Sequence, residues 1–194
     1  MNLPNKLTVL RIVLVPFMIA ALLIPFPHHI LVAGLIFGVA SITDCLDGRI
    51  ARKRNLITAF GKFADPLADK ILVIAAFICF VALKWSDPIL PIVVLFREFA
   101  VTSVRLVAAS KGNVVAANFW GKLKTVFQLV SIGVIFAMQY FIELCSMGII
   151  PLEPALFTGI FFIIGEVLLW ITGVAAIVSG LIYILQCKEY ISDC

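Results

Sequence analysis

The chain has 194 residues, of which 63% are hydrophobic and only 13% charged. Soluble domains average about 45–50% apolar and about 25% charged residues, so the composition excludes an ordinary soluble domain and indicates an integral membrane protein with one domain, 1–194. The net charge of +4 is too small, and too concentrated at segment ends, for a nucleic-acid binder; membrane lipids with anionic headgroups and phosphorylated substrates suit it better.

A membrane-spanning helix needs about 20 mostly apolar residues. Six stretches meet this, at 7–25, 30–52, 66–84, 88–110, 118–142 and 156–186, so the expected fold is all-α with six transmembrane helices. The start, MNLPNKLTVLRIVLVPF, lacks a small-residue cleavage site and carries Arg11 within its apolar run, so it reads as a retained span. Asn5 can cap that helix, and Lys6 and Arg11 can anchor it at the interface. The second span runs into an acidic stretch, and the third leaves it. The fourth carries Arg97 and Glu98 in otherwise apolar surroundings, where charges are expensive and pair or line a wet cavity. Arg105 follows two turns later. Lys122 and Lys124 open the fifth span, where lysines can also simply snorkel. The sixth is long enough to tilt or to extend past the bilayer.

Thirteen of the fifteen lysines and arginines fall on the side of the N-terminus, against Lys84 alone on the other; Arg97 lies within a span. By the positive-inside rule both termini are cytoplasmic, and so is the acidic stretch. The five cysteines, widely spaced and without a CxxC pair, do not suggest a disulfide framework or a thiolate metal site.

The acidic stretch, SITDCLDGRIARKRNLITAFGKFADPLADK at 41–70, holds four of the eleven acidic residues: Asp44, Asp47, Asp65 and Asp69. Within each pair the spacing is three or four, so on a helix each pair shares a face. Four carboxylates gathered at a membrane boundary need a compensating cation, and hard oxygen donors favour Mg²⁺, Mn²⁺ or Ca²⁺ over zinc. Gly48, Ala51 and Gly61 let a helix or a ligand approach closely. Arg52 offers a planar fork to a phosphate. Pro66 suits the first turn of a new helix, with Asp65 as its N-cap.

The spacing D-x2-D-G-x2-A-R-x8-G-x3-D-x3-D, here Asp44, Asp47, Gly48, Ala51, Arg52, Gly61, Asp65 and Asp69, resembles the signature of the CDP-alcohol phosphatidyltransferase family. Further residues resemble the branch of that family that makes phosphatidylglycerophosphate: the N-terminal N-PN-LT-xx-R pattern, then Arg97, Glu98, Arg105, Gly112, Val114, Gly121, Lys122, Lys124, Thr125 and Gln128, and finally Trp170, Ser179, Gly180 and Tyr183. Residues 135–165 carry little of the resemblance.

The resemblance implies an enzyme that moves the phosphatidyl group of CDP-diacylglycerol to sn-glycerol 3-phosphate, with CMP leaving. It implies one or two Mg²⁺ or Mn²⁺ ions on Asp44, Asp47 and Asp65, and Asp69 as catalytic base, near a second metal. Gly48, Ala51, Arg52 and Thr58 would contact the CDP moiety, with Asn5 and Thr8 beside them. Arg97, Arg105, Lys122 and Lys124 would bind the acceptor's phosphate, since a dianion needs cations. A homodimer in a bacterial cytoplasmic membrane, multi-pass and with its active site facing the cytoplasm, also follows from the resemblance. Two other readings stay open on the residues alone. One is a different acceptor alcohol, inositol phosphate or phosphatidylglycerol. The other is an ion or phosphate transporter, which inverted repeats would support; none is evident.

Overall fold

Long apolar runs leave the backbone one way to satisfy its polar groups away from water, which is helix. The structure, a computed structural model, describes residues 3–54, 59–110 and 119–186, with side chains placed over 6–43, at Ala68, and over 70–105 and 119–185. Among these residues there are six helices and no strand: α1 (Leu3–Leu23), α2 (His29–Arg54), α3 (Ala59–Ala82), α4 (Ile89–Ser110), α5 (Phe119–Ser146) and α6 (Ala155–Gln186). Each expected span is a helix. Among the described side chains, three stretches are long and apolar enough to cross a membrane by length and composition: Lys6–Leu23, Phe119–Ser146 and Ala155–Leu185. Among the described side chains, α2 and α3 contribute the shorter apolar stretches His29–Thr43 and Lys70–Ala82.

The expected start of the third helix is corrected. Asp65 is not an N-cap and Pro66 does not open a helix; α3 starts at Ala59 and runs through both. Proline withholds one N–H, the one that would reach the carbonyl four residues back. The flanking Ala64, Leu67 and Ala68 are strong helix formers, and the helix continues across the gap. Pro16 is likewise inside α1.

Contacts divide the chain into two compact units, Met1–Ser86 with Ile132–Phe162, and Asp87–Ser131 with Ile163–Cys194. In the first, α1 packs on α2 and α3. Met18, Ala33, Ala40, Phe77 and Phe80 are fully buried there. An aromatic chain ties α2, α3 and α5, with ring centroids 5.7 Å apart for Phe37 and Phe136 and 5.3 Å for Phe80 and Phe136. Such edge and tilted pairs add to plain area burial. Glu143 of α5 reaches the start of α2, where its carboxylate accepts from His29 N at 3.0 Å and Ile30 N at 3.3 Å. The first N–H groups of a helix have no partner within it, so one buried carboxylate satisfies two of them at the positive end of the dipole.

The C-terminal ends are closed in the same spirit. After α5, Gly148 adopts φ 74°, Ile149 N bonds Leu144 O at 3.1 Å and Gly148 N bonds Cys145 O at 3.0 Å, the two bonds of a Schellman cap. After α3, Lys84 takes the left-handed position with φ 59°, and Trp85 N bonds Phe80 O at 2.8 Å.

In the second unit, α4 begins on Asp87, whose Oδ1 accepts from Ile89 N at 2.9 Å. The α5–α6 contact holds a buried hydroxyl pair, Ser131 and Thr172, 3.0 Å apart. The α4–α6 contact is close. A Cβ placed on Gly173 would stand 2.9 Å from a Leu90 methyl. Outward-facing residues of both units are large and apolar, among them Phe17, Leu35, Ile78, Phe96, Ile163 and Leu185. So much apolar surface has one suitable solvent, lipid, and the protein is an integral membrane protein.

Candidate active site

The aspartates occupy two helix ends. Asp44, Asp47, Gly48, Ala51 and Arg52 lie on the last turns of α2, and their offsets of 0, 3, 4, 7 and 8 put them on one face at 3.6 residues per turn. Gly61, Asp65 and Asp69 lie on the first turns of α3, at offsets of 0, 4 and 8, again one face. The side chains of all these residues lie outside those described, and Thr58 lies outside the described residues altogether. Among the described side chains no group of three or more His, Cys, Asp or Glu could hold a metal ion; the four aspartates fall outside that set. Their chemistry as donors is all oxygen, which suits a hard divalent cation.

On α1, Asn5 is inside the first turn, since the helix already includes Leu3, and so it does not cap the helix. Thr8 and Arg11, one turn apart, are both fully buried in the first unit. The Arg11 side chain is thus packed within the chain, whereas Lys6 is exposed. A single arginine in an apolar run reads equally well as snorkelling or as interior, and only packing separates the two.

The cations of the second unit are placed in detail. Arg97 lies along α6: Nε donates to Ala176 O at 3.1 Å and Nη2 donates to Ser179 Oγ. Its Nη1 donates to Glu98 Oε1 at 2.8 Å, and Lys124 Nζ donates to the same oxygen. The side chains of Lys124, Arg97 and Glu98 are 4%, 11% and 20% exposed, so these charge-assisted bonds are made where the dielectric is low and they are strong. The structure therefore brings Arg97 and Lys124 together around Glu98. Arg105, two turns along α4, lies over the Tyr183 ring with its guanidinium carbon 5.6 Å from the centroid, a cation–π contact. Lys122 is exposed; two residues before Lys124, it lies well round the helix from it.

Two members of this cluster were not assigned a site role from sequence. Glu98 was visible as an intramembrane charge. Ser179 stood out only as part of the pattern Trp170, Ser179, Gly180 and Tyr183, which does not name its partner.

The profile of the CDP-alcohol phosphatidyltransferase family matches residues 1–178. The chain is 43% identical over 173 residues to the CDP-diacylglycerol--glycerol-3-phosphate 3-phosphatidyltransferase of Bacillus subtilis (strain 168), covering 83% of this chain and 89% of that protein. It is 37% identical over 191 residues to the protein of the same name from Rickettsia bellii (strain RML369-C), covering 97% of each. It is also 43% identical over 135 residues to the probable phosphatidylglycerophosphate synthase of Mycobacterium tuberculosis (strain ATCC 25618 / H37Rv), covering 68% of this chain and 64% of that one.

Proposed function

The chain belongs to the CDP-alcohol phosphatidyltransferase family, and from that premise we infer that it transfers the phosphatidyl group of CDP-diacylglycerol to sn-glycerol 3-phosphate, yielding phosphatidylglycerophosphate and CMP. One observation carries this reading: relatives named for that reaction match nearly the whole chain, the aspartate-bearing helix ends and the cation-bearing helices together.

In this reading the acceptor hydroxyl loses its proton to Asp69, which acts as general base. The freed oxygen forms a bond to the phosphorus that carries diacylglycerol. The bond from that phosphorus to CMP breaks, and CMP leaves with the electron pair. Asp44, Asp47 and Asp65 would hold Mg²⁺ or Mn²⁺, with Asp69 near a second ion. Such an ion, when bound, neutralises charge on the transferring phosphorus and the departing CMP. Gly48 and Ala51 leave the face of α2 clear for a nucleotide, and Arg52, Thr58, Asn5 and Thr8 bind the CDP moiety. Arg97, Arg105, Lys122 and Lys124 bind the acceptor's phosphate, which separates this acceptor from uncharged alcohols.

We place all six helices across a bacterial cytoplasmic membrane, with both termini and the aspartates on the cytoplasmic side. The basic asymmetry supports this, as does the location of phosphorylated acceptors in the cytosol. Family resemblance supports a homodimer.

The test is direct. Purified protein is incubated with CDP-diacylglycerol, Mg²⁺ or Mn²⁺, and in turn glycerol 3-phosphate, glycerol, inositol phosphate or phosphatidylglycerol, and CMP release is followed. Release that depends on glycerol 3-phosphate is expected. Release that depends on a different alcohol, or equal use of glycerol and glycerol 3-phosphate, overturns the acceptor assignment.

A further inference from the structure

A lysine that binds phosphate has a placement problem. Its charge is a point at the end of a flexible four-carbon stem, and loosely held groups lose much of the rate gained from orientation. In this chain the ammonium of Lys124 ends on Glu98 Oε1, the oxygen that also accepts from Arg97 Nη1 at 2.8 Å. Arg97 is anchored in turn. Its Nε donates to Ala176 O at 3.1 Å, its Nη2 donates to Ser179 Oγ, and Ser179 is fully buried. The stem of Arg97 lies against α6 at Gly180, where a Cβ would stand 3.1 Å from Arg97 Cγ. A line of contacts thus runs from Ser179 on α6, through Arg97 and Glu98 on α4, to Lys124 on α5.

We propose that Ser179 and Glu98 are positioning residues for the acceptor, holding the Lys124 ammonium in place through Arg97 so that it meets the phosphate of glycerol 3-phosphate. Neither needs to touch substrate. The inference rests on the reading of Lys124 as a phosphate-binding residue, and the experiment separates the two.

Ser179→Ala, Glu98→Gln, Lys124→Ala and the double variant Ser179→Ala/Lys124→Ala are compared in detergent–phospholipid micelles. Each substrate is varied at saturating levels of the other. Ser179→Ala deletes one buried oxygen, and Glu98→Gln keeps an acceptor oxygen without the charge. Each is expected to raise the KM for glycerol 3-phosphate by about tenfold, the weight of one charge-assisted hydrogen bond. The KM for CDP-diacylglycerol should stay within about twofold, the usual tolerance for an uncoupled change. With Lys124 already replaced by alanine, Ser179→Ala should add less than its full factor to the acceptor KM, because part of its effect passes through Lys124 and only the remainder through Arg97 itself. A merely structural role predicts otherwise: both KM values or kcat alone would move, and the effect would persist in full in the double variant.

If Lys124→Ala leaves the acceptor KM unchanged, the phosphate-site reading falls and this proposal with it. If Lys124→Ala raises it while Ser179→Ala and Glu98→Gln do not, or while Ser179→Ala adds its full factor on top, the positioning role alone is overturned. Should Ser179→Ala fail to fold, Glu98→Gln decides the matter by the same readings.

Discussion

The worth of a charge depends on the medium around it, and on that ground the two lysines at the start of α5 are unequal. Lys124 is buried beside Glu98, and Lys122 is exposed. Water screens the second and much less the first. Lys124→Ala is therefore expected to raise the acceptor KM by about 10- to 150-fold, and Lys122→Ala by less than about fivefold. The truncation at 124 leaves Glu98 paired with Arg97, so no carboxylate is stranded and the kinetics remain interpretable. Equal effects in steady-state acceptor kinetics would show that burial is not what distinguishes them. The aspartates carry a second expectation. Asp44→Asn, Asp47→Asn and Asp65→Asn should each nearly abolish CMP release, and excess EDTA should do the same to the parent. Full activity in EDTA would rule out the metal assignment. Asp69→Asn removes a proton acceptor, for which the expected loss in kcat is about 10²- to 10⁴-fold.

At the scale of single helices, the join between α1 and α2 depends on a residue far along the chain. Glu143, 8% exposed, caps α2 through two backbone N–H groups. Glu143→Ala leaves Ile30 N buried without this acceptor, while His29 N keeps Phe26 O at 3.1 Å, and should cost about 1–3 kcal/mol; Glu143→Gln, which keeps one oxygen, should cost less, about 1 kcal/mol. Thermal melts in detergent test the order; a Glu143→Ala protein as stable as the parent would show that the cap is dispensable. Gly148 closes α5 from the left-handed region with open space around it. Gly148→Ala meets no neighbour and should cost only the backbone strain, about 1 kcal/mol. Residues 135–165 were the least informative part of the sequence, yet they supply Phe136, Tyr140 and Glu143 to the first unit. Tyr140 OH lies 3.0 Å from His28 Nδ1. The reason they were illegible is physical. The hydrogen bonds Glu143 accepts come from backbone amides, which every residue but proline possesses, and the His29 imidazole 3.9 Å from its carboxylate is one histidine among the many polar groups a glutamate can face, so the contact is not announced by spacing.

For the molecule as a whole, the proposed topology puts the 83–88 turn outside and the start of α5 inside. In a cysteine-free background, Lys84→Cys should react with an impermeant thiol reagent applied to intact cells, and Lys122→Cys should react only after the membrane is opened. Both positions are exposed, so accessibility is not limited by packing within the chain. The reverse pattern would place the aspartates on the face away from cytosolic glycerol phosphate. Lys84 is well suited as a marker because its position in the tight turn after α3 is held by the backbone bonds around it.

Local properties were readable from sequence alone. Composition placed the chain in the membrane, apolar run length marked out six helices, and residue spacing put Asp44 with Asp47, and Asp65 with Asp69, on shared helix faces. Each of these follows from helix period and transfer energy, which act over one or two turns. The start of α3 escaped the same reasoning, because a proline signal competes with strong helix formers on either side. Contacts between distant segments were decided only by tertiary structure. Arg97 finds its partners 79 and 82 residues away, a carbonyl and a small hydroxyl on α6. Glu143 finds its partner 114 residues away. Arg11 is buried within the first unit. In each case the residue type announced that a polar group must be satisfied, since burying it otherwise is costly. Which atom satisfies it depends on how helices pack, and that is set by surfaces contributed from the whole chain.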